Sequence, residues 1–441
     1  MSAERKLRVL IVGASIAGPA AAYWFAKAGA QVTVIERFPK LRTNGQNVDI
    51  RSVGVTVMRK IPGMEAAVRA KAVPMTGISF VDTHDRPFAT IHATGNPDQQ
   101  SLVSEYEILR GDLSKILFDL TDPNPNITYI FDEQISSLST PANPNDPITV
   151  TFTNHHLPPQ PFDLIIAADG ASSRTRALGL NCPVDAYTHP LHAWAAYFSI
   201  PHSLLPTSAP TTGRAYNLPG GRFIALAPSA QPNTSQVTIL RTHPRNNNND
   251  PSNMHPFRTA QTTGTDALRT FIAQQFPTAT SGWKCNTILT AMQHIPADEF
   301  YASEMVQVKI APAGKLSQGR VVLVGDAGYA AGPTGGGTSL ALAGAYVLAG
   351  EVGRYMRGEG GLEGALRRYE VVMRPVVEEL QTLPRFAQGV FAPQTRWGLW
   401  VRNAVLWFVC WSGLLGFGQR WFASAFGERE EGRLPEYEWV A

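Results

Sequence analysis

Residues Val321 to Gly350 read VVLVGDAGYAAGPTGGGTSLALAGAYVLAG. An apolar strand runs into Gly325 and Asp326, a loop follows with Pro333 and three consecutive glycines, and a helix of small residues comes next. A carboxylate at the carboxyl end of a strand can accept hydrogen bonds from sugar-like hydroxyls. Bare glycine backbone at a helix start brings N–H groups toward negative charge. The order predicts a cradle for a cofactor.

A second nucleotide-binding signature opens the chain. Arg8 to Val12 predicts a buried parallel strand, the turn GASIAG follows, and a helix then leads to a strand that ends at Glu36. An acidic residue about 20 positions after such a turn meets the ribose of a dinucleotide. Ser15 replaces the second glycine of the usual pattern, where the backbone approaches a pyrophosphate. A strand–helix–strand unit for a dinucleotide is expected, with an ordinary strand–turn–helix as the alternative.

Two further segments complete an ordered set of motifs. DLIIAADGASSRTR, residues 163 to 176, is an apolar strand that ends in Asp169 and Gly170. EILRGDLSKILFDL, residues 107 to 120, places Arg110 just ahead of an amphipathic helix. In this order the motifs resemble those of the group A FAD-dependent monooxygenases, the family of para-hydroxybenzoate hydroxylase, over residues 8 to 370. The ordered set is much more specific than any one of its motifs.

The resemblance implies a FAD site assembled from all of these motifs. The N-terminal turn would lie against the pyrophosphate, Glu36 against the adenosine ribose, Arg110 beside the phosphates and the ribityl chain, and Asp326 on the ribityl chain. Asp49 and Arg51 fall in a segment that passes close to the flavin ring in this family, although solvated loop charge is the alternative for this pair. The implied cofactor-binding residues are Gly13, Ser15, Ile16, Ala17, Gly18, Glu36, Arg37, Asp49, Arg51, Arg110, Asp169, Asp326, Gly336, Gly337 and Thr338.

The flavin-ring loop, Pro333 to Gly337, is expected closest to the chemistry. Its N–H groups and the helix dipole would stabilise negative charge on the reduced flavin, so Pro333, Gly336 and Gly337 are the catalytic candidates. We assign no side-chain base, because the flavin itself performs the oxygen chemistry. Many relatives have Ala-His where this chain has Gly328 and Tyr329, a departure that concerns local packing more than flavin binding.

The implied activity is a FAD-dependent monooxygenase. It would use NAD(P)H and O2 to hydroxylate or epoxidise a small aromatic or hydrophobic substrate through a C4a-hydroperoxyflavin, in secondary metabolism or aromatic degradation. A FAD oxidoreductase that dehydrogenates without inserting oxygen and a non-catalytic flavin-binding protein are the alternatives. A halogenase is disfavoured because the Trp-x-Trp-x-Ile-Pro signature is absent from the sequence.

The predicted fold is α/β and discontinuous. A Rossmann-like FAD-binding domain would comprise 1–180 and 296–370, and an inserted β-sheet substrate-binding domain would comprise 181–295 with strands from 74–100. A C-terminal helical region, 371–441, would follow. Residues 181–295 lose the strand–helix alternation and are expected to form short strands among Pro, Asn and Thr loops. The strands predicted for this sheet are Ile78–Val81, Phe88–Ile91, Ala193–Ile200, Arg222–Ala227 and Gln236–Leu240.

Substrate contacts are expected where this sheet would cover the reacting face of the flavin. The candidates are Tyr197, Tyr216, Phe223 and Pro333, with ordinary core packing as the alternative for the three aromatic residues.

Composition limits the partners and the compartment. The 441 residues have a net charge of +3 and no basic stripe with interleaved aromatics, which disfavours nucleic-acid binding. The ten histidines form no HExxH motif or Cys/His cluster, so no metal site is predicted. Three widely spaced cysteines and an N-terminus without a signal-peptide pattern favour the cytoplasm. The expected partners are a small organic substrate and O2, and the oligomeric state stays open.

The aromatic run from Trp397 to Phe422 raises the question of membrane contact. Its charge-free part, Ala404 to Gly418, falls short of the ~20 residues that a spanning helix needs. A helical cap on the core is expected, and membrane contact or a dimer face is the alternative.

Overall fold

The computed structural model describes residues 6–42, 45–94, 104–139, 143, 146–244, 251–276, 282–310, 315–382, 389, 391–414 and 434–440. Its strands are β1 (Arg8–Val12), β2 (Gln31–Glu36), β3 (Asn47–Asp49), β4 (Gly77–Val81), β5 (Pro87–His92), β6 (Glu107–Leu109), β7 (Ile127–Phe131), β8 (Ile135–Leu138), β9 (Ile148–Phe152), β10 (Gln160–Phe162), β11 (Leu164–Ala167), β12 (Thr188–Ile200), β13 (Thr212–Leu218), β14 (Arg222–Pro228), β15 (Ser235–Thr242), β16 (Tyr301–Val308), β17 (Ser317–Gln318) and β18 (Val321–Leu323).

The helices of the described residues are α1 (Ala17–Lys27), α2 (Val53–Arg59), α3 (Met64–Lys71), α4 (Arg110–Thr121), α5 (Arg174–Leu180), α6 (His255–Thr263), α7 (Thr265–Gln274), α8 (Cys285–His294), α9 (Asp326–Tyr329), α10 (Gly337–Met356), α11 (Leu362–Gln381) and α12 (Arg396–Trp411), with short 3-10 helices at Pro251–Met254 and Ala297–Glu299. The last residues of the proposed strand region 74–100, and residues 415–433 of the proposed C-terminal region, lie outside the described residues.

The predicted parallel sheet forms the core beneath the motif loops. Its order is β17-β18-β11-β1-β2-β7, and β17 alone runs antiparallel to its neighbour. Val9 pairs in register with both Leu164 and Val32. Because the sheet is covered on both faces, β1 is a continuous apolar run. The carboxyl ends of β1, β2, β11 and β18 meet at one edge, where a ligand is expected in such a sheet.

Close contacts fix the glycine turn after β1. A Cβ on Gly18 would overlap the carbonyl oxygen of Gly13, because α1 packs directly on the turn. Gly13 has a φ of +110°, and a Cβ there would lie 2.5 Å from the carbonyl oxygen of Ala168. A side chain at either position would displace α1 or the loop that follows β11.

Tyr329, where the family pattern has histidine, fits into a space on α10. A Cβ on Gly344 would overlap the Tyr329 hydroxyl. That hydroxyl lies 3.0 Å from the hydroxyl of Tyr369, which donates a 2.7 Å hydrogen bond to the carbonyl of Leu323. The departure from the family pattern is therefore a change of interior packing.

A second sheet has seven strands in the order β16-β12-β15-β14-β13-β4-β5. All five segments predicted as its strands lie within it, and β13 is a further strand that the sequence analysis does not predict. β16 also belongs to this sheet, since Ala302 pairs with Ala196. The sheet thus extends beyond the proposed boundary at residue 295.

Three helices in the inserted region differ from the sequence expectation. Residues 181–295 are predicted as short strands among loops, yet they also contain α6, α7 and α8. These helices pack on one face of the seven-stranded sheet and bury a separate core. The signal for α8 is present in the sequence as apolar residues at helical spacing, namely Cys285, Ile288, Leu289 and Met292.

The C-terminal helix α12 packs against β5 and β13. Arg402 donates a 2.7 Å hydrogen bond to Asn217 Oδ1 and lies over the ring of Phe80. Burial lowers the pKa of Arg402 to about 10. None of the described helices is both long and apolar enough to cross a bilayer.

The last described segment, 434–440, packs on the FAD-binding core instead. The ring of Trp439 lies 4.7 Å from that of Trp24 on α1. Tyr437 donates a 3.0 Å hydrogen bond to Glu351 on α10. The C-terminal part of the chain therefore contacts both sheet systems.

Candidate active site

Glu36 ties the glycine turn to the end of β2. Its Oε2 accepts a 2.9 Å hydrogen bond from the Ala14 N–H, and its Oε1 accepts a 3.1 Å bond from the Phe38 N–H. A carboxylate offers about four lone-pair positions, so two remain for further donors. Glu36 is thus fixed by the backbone and can still accept from a ribose hydroxyl.

The turn itself presents the start of α1 to the cleft. Ile16 is the N-cap residue and no side chain caps this helix. Ile16, Ala17 and Gly18 are buried, whereas Ser15 is partly exposed and its Oγ lies 3.4 Å from the Ser114 Oγ on α4. Uncapped N–H groups at a helix start are suited to binding an anion.

Asp326 and Arg110 bring opposite charges to the carboxyl-end edge of the parallel sheet. Asp326 starts α9 and is exposed in the cleft. Desolvation by the surrounding protein raises the pKa of the Asp326 carboxyl, and the charge of Arg110 opposes that shift. Arg110 begins α4, where its N–H donates a 3.0 Å hydrogen bond to the Gln46 carbonyl. Folding thus brings Asp326 and Arg110, which belong to motifs far apart in the sequence, into one charged site.

Arg42 lies beside two of the predicted site residues, Arg110 and Glu36, although it belongs to no motif. Desolvation and then the charge of Arg110 lower its pKa, while Glu36 acts in the opposite direction. Arg42 and the exposed Arg37 both lie over the Phe38 ring, at 4.4 and 4.9 Å from its centre. In the sequence, the basic composition of residues 37–42 is the only indication of this group of arginines around Phe38.

Asp169 is more firmly engaged than the sequence suggests. Its carboxylate accepts hydrogen bonds from the Ser173 hydroxyl and from the N–H and hydroxyl of Thr175, the latter two at 3.1 and 3.0 Å. These bonds fix the turn at the start of α5. The buried Arg176 then donates to the Ala327 carbonyl at 2.8 Å, which joins this turn to α9. Asp169 and Arg176 therefore hold the turn after β11 against α9.

The flavin-ring loop ends at an uncapped helix. No side chain caps α10, and the Gly336 N–H is bonded to the Thr334 hydroxyl at 3.2 Å. Thr338 is buried in the first turn, and Gly337 is partly exposed. The free N–H groups of this turn and the helix dipole favour negative charge in front of α10.

A part-buried acidic cluster lies beside this loop. Asp49 and Arg51 form a 3.0 Å ion pair, and both would contact a Cβ at Gly335. Burial raises the pKa of Asp49, and Arg51 opposes the shift. Glu107 is the register partner of Asp49, and burial followed by the charge of Asp49 raises its pKa to about 7. Asn47 donates a 2.7 Å hydrogen bond to Glu107. Asp49 and Arg51 are thus held against the loop, and solvated loop charge does not describe them.

Two glutamines fix the short segment that leads into the flavin-ring loop. The Gln307 amide donates to the carbonyls of Ala331 and Gln381 at 2.9 and 2.8 Å. The Gln381 amide donates to the carbonyls of Val308 and Ala330 at 2.8 and 3.1 Å. Both side chains are buried. This glutamine clamp joins β16, α11 and the segment before the loop, and no sequence motif indicates it.

The four substrate candidates do not share one surface. Tyr197 on β12 alternates with the residues that face α6–α8, so it lies on the opposite sheet face, stacked on Tyr301. Phe223 lies on that same face, and Pro333 is exposed in the loop. Tyr216 instead packs with the helices, 5.4 Å from Trp283. The structure therefore does not bring Tyr216 together with the others.

Comparison with known proteins identifies the family of this chain. The sequence matches the family described as FAD binding domain over residues 6–383. The chain belongs to the group A FAD-dependent monooxygenases. The monooxygenase is 30% identical to the flavin-dependent monooxygenase eupH of a Phoma species over 98% of each chain. It is 31% identical to a FAD-dependent monooxygenase of Sarocladium schorii over 91% of this chain and 92% of the relative.

Solved structures show the same fold. The tetracycline destructase Tet(51) matches 92% of the monooxygenase and 98% of its own chain, with a TM-score of 0.69 and 26% identity. Klebsiella pneumoniae HpxO, solved with FAD and uric acid, matches 94% of the monooxygenase with a TM-score of 0.68 and 17% identity. The α/β fold with an inserted sheet is therefore confirmed.

The residues of the monooxygenase fit FAD. Two uncapped helix starts, those of α1 and α10, offer N–H groups for anionic parts of the cofactor. Glu36 retains acceptor capacity for a ribose, and Asp326 is exposed where it can accept from a polyol chain. Arg110 supplies positive charge between them. The donor and acceptor types match a dinucleotide with one sugar at each end of a diphosphate.

Proposed function

We propose that this monooxygenase uses NAD(P)H and O2 to hydroxylate or epoxidise a small aromatic or hydrophobic substrate. When bound, FAD would accept hydride from NAD(P)H and activate oxygen. The observation that supports this proposal is the uncapped start of α10 beside the part-buried pair of Asp49 and Arg51. Free cysteines at positions 182, 285 and 410 are consistent with action in the cytoplasm.

The protein's own contribution is to bind, orient and stabilise charge. Glu36, Arg110 and Asp326 would hold the cofactor through its sugars and phosphates. The first-turn N–H groups of α10 would face the negative charge that develops at the ring edge on reduction. Asp49 and Arg51 would keep the flavin-ring loop in place, because their ion pair lies against Gly335.

The substrate would lie on the sheet face that carries Tyr197 and Phe223. Burial raises the pKa of Tyr197 to about 12, so its hydroxyl stays protonated near neutral pH. Among the described residues that hydroxyl has no hydrogen-bond partner, which leaves it able to donate to a polar group of the substrate. A phenolic or polyketide-like compound combines such a group with an apolar ring. Tetracycline, the compound after which the similar destructase Tet(51) is named, is a suitable member of the test panel.

The deciding experiment is isotopic. The purified enzyme is loaded with FAD, NADH and NADPH are compared, and substrates are screened for stimulated consumption of reductant. Product formed under ¹⁸O2 is then analysed by mass. Incorporation of one labelled atom supports the monooxygenase reaction. An oxidised product without label indicates the dehydrogenase alternative, and absence of any stimulated turnover indicates a non-catalytic flavin protein.

Substitution in the flavin-ring loop should separate binding from coupling. Gly337→Val adds a branched side chain near Asp326, since even a Cβ would contact Asp326 Oδ1 at 3.8 Å. We expect loss of bound FAD or a large rise in the peroxide released per NAD(P)H oxidised. Gly361→Val, where a Cβ would meet nothing within 4 Å, is the matched control. A normal coupled rate in Gly337→Val would contradict the role given to this helix start.

A further inference from the structure

The outward face of α12 is an exposed aromatic stripe. At about 100° of rotation per residue, its members fall within about half of the helix circumference, so they lie on one side of the helix. Trp397, Trp400 and Trp411 are 74%, 67% and 71% exposed. Val405, Trp407 and Phe408 add to the same patch at 49 to 55% exposure. An exposed apolar patch of this kind marks an interaction site.

The rest of the molecule fixes which side of α12 faces outward. Leu406 and Cys410 pack on the core formed by β4, β5 and β13. Arg402 is bonded to Asn217 on the same side. Because the inner side is already occupied, the aromatic stripe is held outward on a rigid support.

The charge of the surrounding sequence indicates what covers the stripe. Residues 380–427 contain no aspartate or glutamate and four arginines, of which Arg402 is engaged on the inner side. Within α12 itself, Arg396 is the exposed cation at the start of the helix. Such a segment is complementary to anionic lipid headgroups. Two copies of this chain docked stripe to stripe would instead bring the basic segments together without any carboxylate of their own. Charge therefore favours a lipid surface over a second copy.

The chemistry and length of the stripe agree with an interfacial position. Tryptophan is enriched at membrane–water interfaces, where its apolar ring is buried and its N–H stays near water. α12 has 16 residues, which is about 24 Å of helix and shorter than a spanning segment. We propose that α12 docks the enzyme on the surface of an anionic bilayer, with its aromatic stripe in the headgroup region. This places a membrane-binding site on a helix that the sequence predicts as a cap on the core.

The test is flotation of the full-length protein with vesicles. One set contains phosphatidylcholine alone, and the other contains phosphatidylcholine and phosphatidylglycerol in equal parts. We expect binding to the anionic set that weakens at high salt. The triple variant Trp397→Gln, Trp400→Gln, Trp411→Gln should lose binding by about tenfold or more, because it removes most of the buried apolar area. The double variant Val371→Gln, Leu178→Gln, altered at exposed apolar residues elsewhere, should bind like the unmodified protein.

Two further measurements distinguish lipid insertion from misfolding of a variant and from dimer formation. The unmodified protein is titrated with vesicles that contain brominated lipid, which quenches tryptophan emission only on insertion, so this result does not depend on the folding of a variant. Sedimentation velocity reports the oligomeric state of each protein. Failure of the unmodified protein to bind anionic vesicles would overturn the proposal, as would unchanged binding by the triple variant. A dimer that the triple variant abolishes, without lipid binding, would assign the stripe to a second copy instead.

Discussion

Tyr329 occupies a space that depends on glycine at position 344. A Cβ there would overlap the Tyr329 hydroxyl and lie 3.1 Å from its Cζ. Gly344→Ala should therefore lower the free energy of unfolding by about 1–3 kcal/mol, as overpacking does. Tyr329→Phe should cost about 1 kcal/mol by itself. In the double variant it should recover part of the loss, because it removes the overlapping atom. Urea unfolding of the four proteins measures this coupling, and simple additivity would contradict it.

Glu107 should make stability depend on pH. Its pKa is raised from 4.5 to about 7 by burial and then by Asp49. The folded protein thus holds this proton more tightly than the unfolded chain does. The free energy of unfolding should fall as pH rises from 4.5 through about 7 and then level off. Glu107→Gln should remove this part of the pH dependence, measured by unfolding of the FAD-free protein at several pH values.

The control for this prediction is Glu363→Gln, whose side chain is 92% exposed. It should follow the pH profile of the unmodified protein. If Glu107→Gln also follows that profile, Glu107 does not hold its proton in the way that its burial indicates.

At the scale of helices and strands, some contacts that join the elements are not indicated by any sequence motif. The glutamine clamp holds the carbonyls of Ala330 and Ala331, which lie just before the flavin-ring loop. Gln381→Leu should leave buried carbonyls without a donor and cost about 1–3 kcal/mol. It should also speed the release of FAD, measured by fluorescence on dilution. Gln318→Leu, on an exposed position of β17, should change neither quantity.

Prediction from the sequence succeeds where an element has a local signature. β1 and β18 are continuous apolar runs ahead of glycine, and both are strands of the parallel sheet. The outcome is different for α6 to α8, which are short amphipathic helices and are not predicted. Only Gly264 separates α6 from α7. For the site, Glu36 and Asp326 follow from their place at strand ends. Arg42 does not, because its proximity to Arg110 is created only by folding.

At the scale of the whole molecule, each of the two sheet systems has one large core, with a smaller hydrophobic cluster on its other face. The residues proposed for FAD lie on the first of these sheet systems. A ligand that binds only the folded state adds about 2.7 kcal/mol at a concentration of 100 Kd. Excess FAD should therefore raise the melting temperature, and Asp326→Ala should reduce this rise by weakening binding. Calorimetry measures the melting temperatures. An equal rise in melting temperature in both proteins would show that Asp326 does not contact the cofactor.

Residues 434–440 give the chain a second attachment to its first helix, through Trp439 on Trp24 and Tyr437 on Glu351. An allele that lacks the codons for residues 434–440 would leave Trp24 without the Trp439 ring and the Tyr346 ring without Tyr437, which lies 5.2 Å from it. Every group of the catalytic cleft would still be encoded. Such alleles should nevertheless behave as null alleles, because cellular proteases would remove the poorly closed protein before it could act.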